Sequence, residues 1–273
     1  MILVNGIESS EISALDRGLA YGDGLFETLA VVDRKILNWA RHIERLHRGC
    51  SALKIPHPDV TTLEEEIYKV ISGFNRSVVK VIVTRGHGGR GYTPSSTSKA
   101  TRIVYRNEWP EDYAGREKSG IVVCIAQHRL PRNARLSGLK HLNRLDQVLA
   151  SIELGQSTAD EALMLDTKDF VIEATRCNLF MVREGQLYTP DIEFCGVAGI
   201  MRSIIMELSE DLRLKPQEIH LSTGELFQAD EIFLCNSIAG IWPIVEIRPS
   251  HRRLPIGEIT RALQRAIDSR GYH

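Results

Sequence analysis

The sequence predicts a mixed α/β (α+β type) protein of two domains whose sheets are partly antiparallel. Amphipathic helical patterns occur at residues 40–53 and 61–74, and short apolar runs typical of strands occur in both halves. Helices and strands do not alternate regularly, so the pattern does not predict the parallel sheet of a Rossmann domain. With 273 residues, 43% of them hydrophobic, the chain is long enough for one large or two smaller domains.

The first half contains two predicted hairpins, two helices and two further strands, the first of which is predicted to be buried. In chain order they lie at residues 2–6, 25–38, 40–53, 61–74, 78–84 and 102–105. Thr62 and Glu65 have the spacing of a capping box and indicate the start of the second helix. A glycine-rich segment, Arg85–Tyr92, separates the two strands.

The second half follows a polar, turn-rich stretch at residues 108–120, which is interpreted as a linker. It divides a smaller domain, 1–107, from a larger domain, 121–273. Strands are predicted at residues 121–126, 162–166, 170–174, 179–182 and 231–234, and helices at residues 145–154, 201–212 and 256–269.

The composition argues against several classes of partner. The 34 basic and 35 acidic residues nearly cancel, so no excess charge indicates nucleic acid or an anionic membrane. No apolar run reaches the roughly 20 residues that span a bilayer, and the N-terminus lacks the features of a signal peptide. The five cysteines are scattered, as expected of reduced thiols, and the histidines show no metal-binding spacing. We therefore expect a cytoplasmic protein without a metal.

One lysine, Lys140, has surroundings that suit a reactive amine. It lies in Ser137-Gly138-Leu139-Lys140-His141-Leu142, just before the predicted helix 145–154. A lysine among apolar neighbours loses its charge more readily and becomes a nucleophile. Taken alone, such a segment is more often an ordinary turn with a solvated lysine.

Two later segments could supply the partners of a cofactor-bearing amine. Glu173 interrupts the apolar run Phe170–Ala174, where it could face a pyridine nitrogen or simply be a solvated acid. Gly199-Ile200-Met201-Arg202 leads a glycine-containing loop into a helix, which can bind an anion, although many helices begin this way. Pyridoxal phosphate needs an amine, a carboxylate and anion donors, so the ordered set indicates this cofactor.

Three further positions allow two interpretations each. Arg45, on the first long helix, could bind a phosphate or pair in solvent. Asn236-Ser237, at a strand end, could offer a hydroxyl and an N–H or form an ordinary turn. The Arg85–Tyr92 segment lacks the G-K-[ST] of a Walker loop and is either a mobile arginine-bearing loop or a surface hairpin.

Taken together, these residues resemble the class IV aminotransferase (fold-type IV) family of pyridoxal phosphate enzymes, and the resemblance covers most of the chain. The segments that carry it are Asp16-Arg17-Gly18 and residues 22–26, 42–46, 85–92, 138–147, 159–162, 178–180, 199–202 and 229–231. Residues 88–92 and 140–145 look like those of the lyases in the family.

The resemblance implies two mixed α/β domains with the cofactor site between them, and it assigns roles by position. Lys140 would be the Schiff-base lysine, Glu173 the partner of the pyridine nitrogen, and Thr28 a proton relay. The phosphate would be held by Arg45, by the amides of Ile200 and Met201, and by Ser237. The substrate carboxylates would be met by Arg90, Tyr92 and Asn236.

The implied activity is that of a carbon–oxygen lyase that converts 4-amino-4-deoxychorismate to 4-aminobenzoate and pyruvate in folate biosynthesis, working as a homodimer. The alternative is a D-amino-acid or branched-chain transaminase of the same fold, because Glu27 follows Phe26 as it does in transaminases. Thr28 and the Arg85–Tyr92 segment favour the lyase. A non-catalytic cofactor carrier is a third possibility, against which the presence of both Lys140 and Glu173 argues.

Overall fold

The computed structural model describes residues 1–272, which divide into two compact units. The first unit comprises Met1–Trp109 and Leu139–Asn143, and the second comprises Pro110–Gly138 and the described residues from Arg144 onward. The predicted linker at residues 108–120 includes a short helix, and the domain boundary proposed there stays a prediction. His273, the last residue of the predicted larger domain, lies outside the described residues.

The first unit is a six-stranded antiparallel sheet with two long helices. Its elements are β1 (Ile2–Val4), β2 (Ile7–Glu8), α1 (Arg17–Tyr21), β3 (Gly24–Val32), β4 (Lys35–Ile36), α2 (Trp39–Leu53), α3 (Val60–Val70), β5 (Arg76–Thr84) and β6 (Thr101–Asn107). The strand order is β2-β1-β6-β5-β3-β4. Both hairpins, both helices and both further strands predicted for this half are present, and β5 is buried as predicted.

The helices pack on the sheet because their apolar residues recur at helical spacing. Leu46 and Cys50 of α2 and Leu63 and Ile67 of α3 are buried in one core cluster that also contains alternate residues of β3 and β5. Each fully buried aliphatic side chain contributes about 1.5–3 kcal/mol to folding. The predicted cap of α3 was wrong: the helix begins earlier, and the carboxylate of Asp59 accepts the N–H of Thr62 at 2.8 Å.

The second unit is a larger mixed sheet with helices. Its elements are α4 (Tyr113–Ser119), β7 (Ile121–Leu130), α5 (Leu145–Leu154), β8 (Glu161–Asp166), β9 (Phe170–Ala174), β10 (Asn178–Arg183), β11 (Gln186–Pro190), α6 (Ile200–Asp211), β12 (Gln217–Ile219), β13 (Leu221–Ser222), α7 (Thr223–Leu226), β14 (Glu231–Asn236), β15 (Gly240–Arg248), β16 (Arg252–Arg253) and α8 (Glu258–Ser269).

The strands of the second unit follow the order β12-β11-β10-β14-β15-β7-β8-β9-β13, with β16 beside β15. Pairs β15–β7, β7–β8 and β11–β12 are parallel, and the other pairs are antiparallel. The strands β9 and β10, although far apart in this order, also pair with each other at Glu173 and Asn178. This additional pairing closes the sheet on itself.

Apolar side chains fill the space around this sheet. Trp242, Phe180 and Phe233 are among the largest side chains that are completely buried. The sequence analysis missed β15, which carries Trp242, because Pro243 interrupts its apolar run. Among residues 1–272, no helix has both the length and the apolar character that crossing a bilayer requires.

Candidate active site

Lys140 lies on a short extended segment that pairs with the beginning of β3. The N–H of Phe26 donates to the carbonyl of Lys140 at 3.0 Å, and the N–H of Leu142 donates to the carbonyl of Gly24 at 3.0 Å. A side chain at Gly24 would not fit, because its Cβ would lie 2.7 Å from the carbonyl oxygen of Val83. The backbone pairing therefore sets the direction in which the side chain of Lys140 points.

Two lysine amines lie over the ring of Phe26. The Nζ atoms of Lys140 and Lys80 each lie 4.3 Å from the ring centroid. Thr28 is two residues beyond Phe26 on β3, so it faces the same side of the sheet, directly opposite Lys80 on β5. The structure thus brings Lys140 and Thr28 to one face of the first unit, and both side chains are half-buried.

The sequence analysis did not single out Lys80. Burial lowers the pKa of its amine, which lies among the valine and isoleucine residues of strand β5. Strand alternation could have revealed it: Val79, Val81 and Val83 fill the core, so Lys80 must face the opposite side. Its side chain therefore lies on the face of the sheet that carries Thr28, its register partner on β3.

The core-facing side of β3 carries a buried ion pair. The carboxylate of Glu27 accepts from Nε of Arg45 at 2.8 Å and from Nη2 of Arg45 at 2.5 Å. His42, three residues before Arg45 on α2, places its Nδ1 2.7 Å from the same carboxylate. Arg45, the predicted phosphate ligand, therefore has an acidic partner within the protein, and its contact with a phosphate stays a prediction.

The charges of this cluster follow from burial and pairing. Burial alone would raise the pKa of Glu27, but the charge and hydrogen bonds of Arg45, aided by His42, lower it to about 2. Burial lowers the pKa of His42, although Glu27 opposes this effect. At neutral pH the cluster is thus a carboxylate, a guanidinium and a neutral imidazole that donates through Nδ1.

The Arg85–Tyr92 segment is a loop that is anchored at its base. The carboxylate of Asp23 accepts from Nε and Nη2 of Arg85 at 2.7 and 2.9 Å, and from Nε of Arg17 at 2.9 Å. Burial opposes ionisation of Asp23, but the two guanidinium groups hold the pKa of its carboxyl below the usual range. The base of the loop is therefore fixed by a three-residue charge network.

Arg17 also holds the tip of the loop. Its Nη1 donates to the carbonyl of Gly91 and its Nη2 to the carbonyl of Tyr92, each at 2.9 Å. Arg90 closes the turn through two backbone hydrogen bonds with Thr93, at 3.1 and 3.2 Å. The side chains of Arg90 and Tyr92 are exposed, and their contacts with a substrate stay predictions.

Replacing Arg17 by glutamine is expected to loosen this tip, because both carbonyl contacts are lost. We expect trypsin to cleave after Arg90 roughly five-fold faster in the Arg17→Gln variant, measured by mass spectrometry of timed digests. Arg34→Gln, which changes an exposed turn arginine, is the matched control. Equal cleavage rates in Arg17→Gln and the parent would show that the Arg17 guanidinium does not hold the loop tip in place.

In the second unit, Glu173 and Asn178 lie opposite each other on β9 and β10. The N–H of Val197 donates to Oε2 of Glu173 at 2.9 Å, and Nδ2 of Asn178 donates to the carbonyl of Val197 at 2.9 Å. Glu173 is only 4% exposed, so its carboxylate is buried with a fixed orientation. Such a group suits the recognition of a ring N–H.

Ile200 and Met201 are the first two residues of α6, and their side chains are buried in the core. The residue before them, Gly199, has no side chain that could cap the helix. The first N–H groups of a helix lack acceptors within the helix and favour an anion. The backbone groups predicted to bind a phosphate thus lie at a helix start, and the binding itself stays a prediction.

Asn236 shapes the turn between β14 and β15 that contains Ser237. Its Oδ1 accepts from the N–H groups of Ile238 and Ala239 at 2.8 and 2.7 Å, and its Nδ2 donates to Sγ of Cys177 at 3.1 Å. The amide of Asn236 is therefore used in holding the turn. Its predicted contact with a substrate carboxylate and the predicted phosphate contact of Ser237 remain untested predictions.

The functional groups fit pyridoxal phosphate. The described residues include the amine of Lys140 in the first unit and, in the second unit taken by itself, the oriented carboxylate of Glu173 and the helix start at Ile200. An amine, a carboxylate for the ring nitrogen and N–H donors for a dianionic phosphate are the groups that this cofactor requires.

A family model described as amino-transferase class IV matches residues 24–247, which is most of the chain. The chain belongs to this family. Membership of the class IV aminotransferase family confirms the predicted fold class, and it confirms the predicted cofactor, pyridoxal 5′-phosphate, because the enzymes of this family depend on it.

Several named members of the class IV family are similar to this chain. An aminodeoxychorismate lyase of Vibrio harveyi is 32% identical, over 97% of this chain and 98% of its own. The crystal structure of a 4-amino-4-deoxychorismate lyase from Pseudomonas aeruginosa superposes with a TM-score of 0.93 at 40% identity and covers 98% of each chain. A putative branched-chain-amino-acid aminotransferase of Methanocaldococcus jannaschii is 31% identical, over 94% of this chain and 90% of its own.

Proposed function

We propose that this class IV family member is an aminodeoxychorismate lyase, which converts 4-amino-4-deoxychorismate to 4-aminobenzoate and pyruvate. The observation that carries the proposal is the position of Thr28 on the same face of the sheet as Lys140. The similarity to the Vibrio harveyi and Pseudomonas aeruginosa lyases over nearly the whole chain supports it. Folate biosynthesis is the setting in which this reaction would be used.

Lys140 and Thr28 would move the protons. The reaction removes a proton from the substrate carbon that bears nitrogen and breaks the ether bond to the enolpyruvyl group. Bound pyridoxal phosphate supplies an electron-withdrawing ring for the first of these changes. The amine of Lys140 would accept the proton, and the hydroxyl of Thr28 would deliver a proton to the departing pyruvate unit.

Glu173 and the phosphate-binding groups would orient the cofactor. The carboxylate of Glu173 is held by the N–H of Val197, and it would accept the N–H of the pyridine ring. The amides of Ile200 and Met201, the hydroxyl of Ser237 and the guanidinium of Arg45 would bind the phosphate. Because formation of an aromatic product drives bond cleavage, orientation and proton transfer are the main tasks of the protein.

The substrate carries two carboxylates, which need cationic or hydrogen-bonding partners. The amine of Lys80 lies over Phe26 on the face that carries Thr28, where it could attract one of them. Arg90 and Tyr92 on the loop tip and Asn236 are the other proposed partners.

We also propose that the protein is a cytoplasmic homodimer. Helix α5 presents an apolar stripe, since Leu145, Val148, Leu149 and Ile152 are between 46% and 75% exposed. These residues are spaced to lie on one helix face, and exposed apolar stripes of this kind are commonly covered by another chain. Sedimentation equilibrium would test the dimer, and a concentration-independent monomer mass would refute it.

The deciding experiment is an assay of the purified protein with pyridoxal phosphate and freshly prepared 4-amino-4-deoxychorismate. The fluorescence of released 4-aminobenzoate is expected to rise well above that of a Lys140→Ala control. Absence of release by protein that has bound the cofactor would overturn the lyase proposal.

A second candidate function is transamination of branched-chain or D-amino acids. It is favoured by Glu27 directly after Phe26 and by the similarity to the Methanocaldococcus jannaschii protein. Turnover of leucine or D-alanine with a keto-acid acceptor, in protein that is silent toward 4-amino-4-deoxychorismate, would establish it.

Replacing Glu173 by alanine is expected to leave cofactor binding measurable but to lower kcat by about 100-fold or more, because the ring nitrogen loses its charged partner. Cofactor absorbance and steady-state kinetics would measure the two effects separately. Glu193→Ala, which removes an exposed acid, is the matched control. Near-normal kcat in Glu173→Ala would refute the role of this carboxylate.

A further inference from the structure

Asn178 connects the carboxylate of Glu173 to the start of helix α6. Its amide Nδ2 donates to the carbonyl of Val197 at 2.9 Å, while the N–H of Val197 donates to Glu173 at 2.9 Å. Both peptide groups that flank the Val197 side chain are thus held by side chains from adjacent positions of the β9–β10 pair. Asn178 is buried, at 7% exposure, so these contacts are shielded from water.

The other side of the Asn178 amide lies against Gly199. A Cβ added to Gly199 would lie 1.9 Å from Oδ1 of Asn178, which leaves no space for any side chain. Gly199 immediately precedes α6, and its backbone is extended rather than helical. The amide of Asn178 therefore sets how the chain enters the helix.

Backbone hydrogen bonds hold the same segment from the opposite side. The N–H of Gly138 donates to the carbonyl of Gly196 at 2.9 Å, and the N–H of Ala198 donates to the carbonyl of Gly138 at 3.1 Å. Residues 196–198 are thus fixed by Gly138 on one side and by Glu173 and Asn178 on the other. Among these contacts, the side chain of Asn178 is the one that touches both Val197 and Gly199.

We propose that Asn178 is a positioning residue for the cofactor, because it fixes the separation between the carboxylate of Glu173 and the N–H groups at the start of α6. The ring nitrogen and the phosphate of pyridoxal phosphate are joined through the planar ring and one short CH2–O link. Their separation therefore varies little, and their protein partners must keep a matching separation. This inference rests on the cofactor of the proposed function but not on the lyase reaction.

The test compares the binding of pyridoxal phosphate and of pyridoxal, which lacks the phosphate, to the apoprotein. Absorbance titrations would give both dissociation constants for the parent, Asn178→Ala and Asn178→Asp. For Asn178→Ala we expect about ten-fold weaker binding of pyridoxal phosphate, the size of effect seen when a buried carbonyl loses its donor. Binding of pyridoxal should weaken by less than about two-fold, because it does not use the helix start.

Asn178→Asp is expected to weaken pyridoxal phosphate binding further, because it removes the donor and adds a negative charge beside the phosphate position. Because aspartate has nearly the same shape as asparagine, Asn178→Asp still tests the positioning role if the alanine variant does not fold. Asn133→Ala, which removes an asparagine from an exposed turn of the same unit, should change neither constant.

Unchanged binding of pyridoxal phosphate in both variants would overturn the inference. Equal loss of affinity for pyridoxal phosphate and for pyridoxal would also overturn it, because it indicates a general loss of structure. Absence of lyase turnover with the expected binding changes would refute the proposed function and leave the role of Asn178 standing.

Discussion

Replacing Lys140 by alanine is expected to abolish the covalent attachment of pyridoxal phosphate and to lower the rate of 4-aminobenzoate release by at least about 10⁴-fold. The amine is the group that bonds to the cofactor and the group that accepts the substrate proton, so its loss removes two functions at once. Loss of the visible absorbance of the bound cofactor, and of mass added after borohydride reduction, would measure attachment.

Lys80→Ala is the matched control for this experiment. The amines of Lys80 and Lys140 lie at the same distance, 4.3 Å, from the ring centroid of Phe26. Proximity to the aromatic ring therefore does not distinguish them. We expect Lys80→Ala to keep the cofactor absorbance and to raise KM for the dicarboxylate substrate. Absorbance lost in Lys80→Ala and kept in Lys140→Ala would show that the roles are reversed.

Replacing Glu27 by alanine is expected to lower the free energy of unfolding by about 3–5 kcal/mol, because the buried guanidinium of Arg45 loses the carboxylate that accepts two of its hydrogen bonds. Arg45 is 8% exposed, and Glu27 supplies it with two hydrogen bonds. Urea denaturation monitored by circular dichroism would measure the change. Glu44→Ala, which removes an exposed acid from helix α2, the helix of Arg45, should change stability by less than about 0.5 kcal/mol. A similar small change in Glu27→Ala would contradict the importance of the pair.

The same carboxylate predicts how stability depends on pH. The pKa of Glu27 falls from 4.5, its ordinary value, to about 2 in the folded protein. The stabilisation that ionised Glu27 provides is therefore complete above its pKa in the unfolded chain, and it is lost as the pH falls toward its pKa in the folded protein. The stability difference between the parent and Glu27→Gln should be constant above about pH 5 and shrink between pH 4.5 and about 2. A difference that does not change with pH would indicate that Glu27 is not ionised in the folded state.

The elements with strong local patterns could be predicted from the sequence. The apolar periodicity of residues 145–154 predicted α5 with its observed ends, and α2 begins one residue before its predicted start. Lys140 and Glu173 could be selected because each is a charged residue in an apolar segment. Family resemblance then supplied roles that no local pattern contains.

Contacts that depend on distant parts of the chain could not be predicted. The bonds from Arg45 to Glu27 require a particular register between a helix and β3, and the contact between Asn178 and Val197 requires the closing of a sheet. For Lys80, the prediction could be partly made. Strand alternation indicates the side of the sheet that it faces, but not its contact with the ring of Phe26.

The closing of the second sheet at Glu173 and Asn178 also limits where this protein can be altered. The tight turn between these two residues is closed by the N–H of Ala174, which donates to the carbonyl of Cys177 at 2.7 Å. Because neighbouring strand residues face opposite sides, one residue inserted here would turn either Glu173 or Asn178 away from Val197. We therefore expect a change of length in this turn to impair cofactor binding even where the protein still folds. The exposed turn at Asp33-Arg34, in contrast, is a tolerant place for tags, labels or fused domains.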